Sequence, residues 1–277
     1  MIQLSTDAPS ILLRIVEDKR AEIENLEKSS SLDELMKRAA KADRTRGLKQ
    51  ALRKPEKVTL IAELKKASPS KGLFREDFVP AEIARAYVKG GAVGLSVLTE
   101  INHFRGHPSY LQEVRDAVAQ PILRKDFIVS AHQIPESRIL GADAILLIAA
   151  LLSDAQIREF LDLAKELHLD ALCEVHDEVE MKRVIDCGAD FIGVNNRDLR
   201  TFEVDLQTSF DLFPLAPEGA VLVGESGVRC WADIELMRDI GVDAVLVGET
   251  LIRQDDLTQA ARNLYDPNVP TPFLEES

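Results

Sequence analysis

A short motif recurs along this chain at a near-constant interval. Gly91-Ala92-Val93, Gly141-Ala142-Asp143, Gly188-Ala189-Asp190 and Gly241-Val242-Asp243 each close an amphipathic stretch and open an apolar one. The spacings are 50, 47 and 53 residues. Glycine is the residue expected just past a helix C-terminus, and an apolar run that follows at once fits a buried strand. Other apolar runs fall between the copies. Strand-like runs therefore start near Val58, Ala92, Pro121, Asp143, Asp170, Asp190, Ala220 and Asp243. Helical spacing shows between them, as in Ile157, Phe160, Leu161 and Ala164, or in Met181, Val184 and Ile185. Eight strands alternating with helices predict an α/β fold closed into a parallel (β/α)8 barrel. An open doubly wound sheet is the competing arrangement. It calls for a GxGxxG turn after its first strand, and none is present.

The repeat starts only at Val58. Residues 1–9 are expected to fray. Ser10 is placed to cap a helix carrying Ile11, Leu12, Ile15, Val16, Ile23 and Leu26 on one face. Ser31, with Glu34 three residues on, opens a second helix to about Ala40. The expected organisation is one domain: a two-helix extension over 1–57, the barrel over 58–265, and a tail over 266–277. Pro267, Pro270 and Pro272 mark that tail as disordered.

Composition excludes some functions. The net charge of −13 argues against a nucleic-acid partner, which would require a basic footprint. It leaves room for a small anion held by a few local Lys and Arg. No apolar window is long enough to span a membrane, and MIQLSTDAPS has no secretory pattern, so a cytoplasmic protein is expected. Cys173, Cys187 and Cys230 lack CxxC spacing and read as reduced core thiols. His103, His107, His132, His168 and His176 are scattered and read as surface or loop residues, with no metal site. No GxSxG elbow occurs.

In such a barrel the active site lies at the C-terminal ends of the strands. The first strand ends in Glu63 and Lys65, two apart and so on one side of it. The third ends in Lys125, the fifth in Glu174, the sixth in Asn195-Asn196-Arg197 and the seventh in Glu225. Alternate strands share a layer, so Glu63, Lys125 and Glu174 should face one cavity. Ser226, Gly227, Gly248 and Glu249, after the seventh and eighth strands, fit a phosphate cradle built from backbone N–H groups. Glu249 joins it through its N–H alone, with its carboxylate turned away from the anion.

The segments IAELKKASPSKG (61–72), LRKDFIV (123–129), LCEVH (172–176), GVNNRDL (193–199), VGESGV (223–228) and LVGETL (246–251) together resemble the indole-3-glycerol-phosphate synthase family. The likeness runs from the helix at 10–28 to about residue 264. It implies a TIM barrel and a cytoplasmic lyase of tryptophan biosynthesis. The implied reaction closes the ring of 1-(2-carboxyphenylamino)-1-deoxyribulose 5-phosphate with loss of carbon dioxide and water, and uses no metal or organic cofactor. Lys125 matches the general acid of ring closure and Glu174 the base of dehydration. Glu63 and Asn195 match groups that position hydroxyls and developing charge, and Lys65 a contact to substrate and carboxylate. Ser68, Arg197 and Glu225 match substrate contacts. Phe104, Phe127, Leu146 and Leu199 match the apolar wall around the anthranilate ring.

One departure stands out. Relatives often carry Phe-x-Gly-Ser after strand two, and here the run is Phe104-Arg105-Gly106-His107-Pro108, which reshapes that loop and adds a cation. Two other functions fit the same residues: a different phosphosugar barrel, either an isomerase or a Schiff-base aldolase using Lys125 or Lys65, and a non-catalytic phosphate-binding barrel. The implied partner is a small anionic phosphosugar with an anthranilate group. The sequence does not set the oligomeric state, and a monomer is consistent with it.

Overall fold

The computed structural model describes residues 8–54 and 57–270. Eight parallel strands form the barrel: β1 (Thr59–Leu64), β2 (Gly94–Leu98), β3 (Ile122–Lys125), β4 (Ala144–Ile148), β5 (Asp170–Val175), β6 (Phe191–Asn195), β7 (Val221–Glu225) and β8 (Ala244–Val247). Each pairs with its sequence neighbours, and β8 returns to β1 to close the ring. All eight start within two residues of the positions read from the sequence. The helices are α1 (Ser10–Ser29), α2 (Leu32–Ala39), α3 (Leu48–Leu52), α4 (Pro80–Gly90), α5 (Ser109–Ala117), α6 (Gln133–Ile139), α7 (Asp154–Glu166), α8 (Glu178–Asp186), α9 (Gln207–Leu212), α10 (Trp231–Asp239), α11 (Glu249–Ile252) and α12 (Leu257–Asn263). Strands covered by helices outside and by packed side chains inside are apolar along most of their length, and β1 is buried at every position.

The repeated motif has one physical meaning. Gly91, Gly141, Gly188 and Gly241 all adopt left-handed φ, between 79° and 108°. In each, the glycine N–H donates to the carbonyl three residues back and the next N–H to the carbonyl five back, as in Ala142 to Ser137 at 3.0 Å. This paired cap ends a helix and turns the chain straight into a strand. A fifth copy precedes β5. His168, at φ 58°, takes the glycine position, and Leu169 donates to Ala164 at 2.9 Å. The aspartates that follow serve the barrel's lower end. Asp143 Oδ2 accepts the Ile122 N–H at 2.9 Å, and Asp243 Oδ2 the Leu222 N–H at 2.8 Å.

The extension differs from expectation in two ways. Pro9, not Ser10, occupies the cap position of α1, and Ser10 is already helical. A third helix, α3, forms within the polar stretch 41–57. It seals the lower end: Leu48 and Leu52 are fully buried, and the Lys49 N–H donates to Asp170 Oδ2 at 2.8 Å. Ser31 caps α2 as expected, in a reciprocal box with Glu34. At the other end α1 packs beside β3 through Lys19, whose ammonium lies 3.1 Å from Asp126 Oδ1 with both side chains fully buried. The expectations for residues 1–7 and 271–277 lie outside the described residues.

Candidate active site

The upper end of the barrel gathers its charge in a single layer. Strand register places Glu63 of β1, Lys125 of β3, Glu174 of β5 and Glu225 of β7 on the inner face, one from each odd strand. Lys125 Nζ lies 3.0 Å from Glu174 Oε2 and hydrogen-bonds Glu225 Oε2 as well. Lys65 Nζ pairs with Glu63 Oε1 at 2.6 Å. Two glycines make room for this crowding. A Cβ on Gly193 would collide with Glu225 Oε1, and one on Gly248 with Glu63 Oε1. Gly248 therefore has a steric task beside any part in an anion cradle.

Three carboxylates around one ammonium set the protonation states. Burial would lower the Lys125 pKa, but Glu174, Glu225 and Glu63 outweigh it and hold the value above that of ordinary lysine. Glu174 shows the converse. Burial would raise it, yet Lys125 and His176 pull it well below the usual carboxylate range. Glu225 is the odd member. Burial, Glu174 and Glu63 together outweigh Lys125 and push it up to about 7. Its Oε1 is buried with no hydrogen-bond partner among the described residues.

Asn195 links this layer to the β7 loop. Its Nδ2 donates to Glu174 Oε1 at 3.2 Å, while its Oδ1 accepts from Ser226 Oγ at 2.8 Å and from the Arg197 N–H at 3.1 Å. Ser226 and Gly227 both have left-handed backbones, φ 63° and 87°, and strain of that kind collects at ligand sites. Gly227 also lies too close to Leu206 and Val204 of the β6 loop to admit a larger residue. Asn196 plays a structural part, tying the Glu225 and Ser226 carbonyls to Ser209.

Glu249 opens α11, and its carboxylate gathers cations. Lys71 lies 3.2 Å away, Arg253 3.0 Å and Arg197 4.0 Å. Burial would raise its pKa, but Lys71 and Arg253 outweigh it and lower the value. The β1 loop is fastened here, since Arg75 also donates to the Ile252 and Gln254 carbonyls. Ser68 sits in that loop and accepts the Lys71 N–H at 3.2 Å. Phe104 and Phe127 pack with ring centres 6.1 Å apart, and the Phe104 carbonyl accepts the Ala67 N–H. Leu199 is half-buried on the β6 loop. Leu146, only 2% exposed, lies one inward position below Ile148, the residue level with Glu174. Arg105 is exposed, with a left-handed backbone at φ 51°.

Reading the sequence missed the role of His176. It is not a surface histidine. Its Nδ1 lies 3.1 Å from Glu180 Oε2 and its Nε2 3.4 Å from Glu174 Oε1. The LCEVH spacing held the clue, since His176 follows Glu174 by two and so shares its side of the strand. The partnership of Glu225 with Lys125 and the cations around Glu249 were also missed. Apart from the local Arg253–Glu249 pair, they join residues from 52 to 178 positions apart, at strand ends or in loops whose path no local pattern fixes. Cys187 is half-buried, unlike the core thiols Cys173 and Cys230.

Comparison with known proteins agrees with this geometry. In solved structures the fold resembles 3-hexulose-6-phosphate synthase from Salmonella typhimurium, at TM-score 0.61 and 14% identity, over 75% of this chain and 97% of that one. It also resembles thiamine phosphate pyrophosphorylase from Pyrococcus furiosus, at TM-score 0.54 and 15% identity, over 75% and 93%. Likeness at that identity establishes the barrel alone. A sequence relative goes further. The indole-3-glycerol phosphate synthase of Rhizorhabdus wittichii is 49% identical over 258 residues, spanning 91% of this chain and 97% of that protein. The family model for indole-3-glycerol phosphate synthase matches residues 12–264, a span that takes in most of α1, every barrel strand and the whole charged layer. With a barrel, an ordered set of strand-end residues and a near full-length relative in agreement, the chain belongs to the indole-3-glycerol phosphate synthase family.

Proposed function

We propose that the upper end of the barrel converts 1-(2-carboxyphenylamino)-1-deoxyribulose 5-phosphate into indole-3-glycerol phosphate, carbon dioxide and water. The observation that carries this reading is the single ammonium of Lys125 facing three carboxylates, beside the Phe104–Phe127 wall. The substrate's aniline nitrogen pushes electrons into its ring, and the ring carbon bearing the carboxylate attacks the ribulose carbonyl. Lys125 protonates the carbonyl oxygen as the new carbon–carbon bond forms. Loss of carbon dioxide returns the electron pair to the ring and restores aromaticity. A base then removes a proton from the neighbouring methylene carbon while the new hydroxyl leaves as water.

The pairing of Lys125 with Glu174 orders these steps. Before ring closure, the ammonium keeps Glu174 ionised and weakly basic. Once Lys125 has given up its proton that restraint is gone, and Glu174 becomes a stronger base for the dehydration. Lys65, the second ammonium and the partner of Glu63, protonates the departing hydroxyl. Asn195 holds Glu174 in place. The phosphate sits against the backbone N–H groups of Gly227, Gly248 and Glu249, with Ser226 beside them. Ser68, Arg197 and Glu225 contact the substrate, and Leu146 and Leu199 complete its apolar wall.

The extension to residue 57 and the barrel over 58–265 act as one domain, given the buried Lys19–Asp126 pair. No described helix is long and apolar enough to cross a membrane, and we assign the reaction to the cytoplasm. The test is to incubate the protein with the substrate and follow indole absorbance. Turnover that survives borohydride treatment in the presence of substrate supports the reading. Absent turnover, or inactivation by a trapped imine, would favour a Schiff-base aldolase.

A further inference from the structure

Glu100 stands two residues past β2 and is fully buried, yet no step of the proposed reaction uses it. Its carboxylate meets backbone donors. Oε1 accepts the Asn102 N–H at 2.9 Å, and Oε2 accepts those of His103 at 2.7 Å and Phe104 at 2.9 Å. Three successive N–H groups turned to one point form a nest that attracts an anion. Here the anion is the chain's own side chain. The Glu100 carbonyl closes the same turn by accepting the Gly106 N–H at 2.8 Å. Arg105 takes a left-handed backbone just before that closure, and a Cβ on Gly106 would collide with the Leu98 carbonyl oxygen.

Phe104 is the residue that this turn holds. Its N–H is fixed by Glu100, and its carbonyl accepts the Ala67 N–H of the β1 loop at 3.2 Å. Phe127, the other half of the aromatic wall, is hung in the same way. Its N–H donates to Asp126 Oδ1 at 2.8 Å, and Asp126 is buried too. Thr99 ties the two anchors together. It precedes Glu100 in the chain, its Oγ1 donates to Asp126 Oδ2 at 2.6 Å, and its N–H donates to the Lys125 carbonyl at 3.2 Å. Each ring is thus suspended from a buried carboxylate, and one threonine sets the anchors side by side. The departure at His107 lies outside this frame. His107 Nδ1 faces the Ser109 hydroxyl at 2.8 Å, at the start of α5.

We propose that Glu100 is a positioning residue that fixes Phe104 against Phe127 and so sets the selectivity for a substrate bearing an aromatic ring. The inference rests on the functional reading above, which puts the anthranilate ring on this wall. Without the carboxylate acceptors, the N–H groups of the turn must open towards water to be satisfied. Phe104 then leaves its place beside Phe127, and an aromatic substrate loses that part of its contact. A sugar phosphate without the ring makes no use of the wall. With the carboxylate in place, the wall is ordered before the substrate arrives, which spares binding the cost of ordering it.

The test is a double-mutant cycle on Glu100→Gln and Phe104→Ala, read by equilibrium binding of two probes. One is the substrate with its carbonyl reduced to an alcohol, which keeps the anthranilate ring and cannot close. The other is ribulose 5-phosphate, which lacks that ring. Glu100→Gln keeps the shape of the side chain but leaves one acceptor oxygen for three N–H groups. The ring-bearing probe should bind about tenfold more weakly, the scale of one misplaced aromatic contact. Ribulose 5-phosphate should change by less than about twofold. In turnover, KM should rise with kcat little altered, as for a contact made equally in ground and transition states. In the Phe104→Ala background, Glu100→Gln should barely affect the ring-bearing probe, because Glu100 acts through that ring. A purely structural carboxylate would lower the folded fraction and leave both affinities alone, or weaken both probes alike in an effect that adds to Phe104→Ala. Either result overturns the proposal, as does ring-bearing binding within about twofold of the wild type. If Phe104→Ala alone leaves the ring-bearing probe unchanged, the functional reading of the wall fails first, and this inference with it. Should Glu100→Gln not fold, Glu100→Asp takes its place in the cycle. Its carboxylate, drawn back by one methylene, cannot reach all three N–H groups and should show the same selective, Phe104-dependent loss.

Discussion

The two ends of the barrel use the same residue types to opposite ends. At the lower end, carboxylates meet donors that fit them. Asp143 accepts the Arg46 N–H at 2.8 Å, the Ile122 N–H at 2.9 Å and the Arg115 guanidinium at 2.9 Å. Lys49 spans two aspartates, its N–H on Asp170 and its ammonium on Asp190. At the upper end, Glu63, Glu174 and Glu225 crowd round Lys125, and Glu225 Oε1 has no hydrogen-bond partner among the described residues. A satisfied buried carboxylate holds a fold together. An under-satisfied one keeps a proton mobile and stores a cost that ligand binding can relieve. Burial alone does not separate the two, since Asp143 and Glu225 are both buried. The identity of the donors does.

The largest expected effect tests the lower end. Asp143→Ala removes one acceptor from three donors and takes the carboxylate from the nearly buried Arg115, 9% exposed, leaving it on the Gly141 and Arg44 carbonyls. The expected loss is roughly 3–5 kcal/mol of stability, read from the urea midpoint, with kcat per folded molecule unchanged. A large fall in kcat without a stability loss would break the comparison. At the upper end Lys125→Met should reverse the pattern. It keeps the apolar stem but has no proton to give, so kcat should fall about 100-fold or more with KM little altered. Folding should survive, because the three carboxylates can take up protons. Turnover within about threefold of wild type, where a general acid gives about 100-fold, would move the acid to Lys65.

Glu225→Gln sharpens the contrast through pH. The Glu225 pKa is raised from 4.5 to about 7, so the folded state holds its proton more tightly than the unfolded chain does. Its contribution to stability is fully present below pH 4.5 and is lost as pH rises through 7. The amide cannot ionise and escapes that loss. The variant should therefore match the wild type near pH 4.5 and exceed it by on the order of 1–3 kcal/mol at pH 8, while turning over more slowly. A variant less stable than wild type at pH 8 would show that Glu225 is well satisfied after all.

The same contrast explains what the sequence discloses. The barrel was legible because a helix end followed by a strand start is local: the glycine, the cap and the apolar run lie within a few residues. Strand-end residues were legible because a β-strand sends alternate residues to one side, which set Glu63 beside Lys65. Helix α3 was hidden because its five residues show too little period to stand out from a polar stretch. Its leucines are buried by the barrel end they cover. His176 was hidden because a lone histidine past a strand end reads as a loop residue, and its two-residue spacing from Glu174 gains meaning only once Glu180 closes on its other side. The fifth copy of the repeat was hidden because it lacks glycine.

That fifth copy carries the smallest prediction. His168 sits in the left-handed position that Gly141 and Gly188 hold elsewhere, at φ 58°, with the same paired cap. A residue with a Cβ is disfavoured in that conformation by about 1 kcal/mol relative to glycine. The side chain is exposed, so removing it forfeits little packing. His168→Gly should therefore stabilise the protein by about 0.5–1 kcal/mol, somewhat offset by the greater freedom of glycine in the unfolded chain. His168→Ala is the control. It keeps the Cβ and the strain and loses only the ring, so it should leave stability nearly unchanged. Both variants sit at the lower end, away from the charged layer, and should keep the wild-type kcat. If His168→Gly were no more stable than His168→Ala in matched urea titrations, the left-handed backbone would not be the cost at this helix end, and His168 would owe its place to a contact made by its ring.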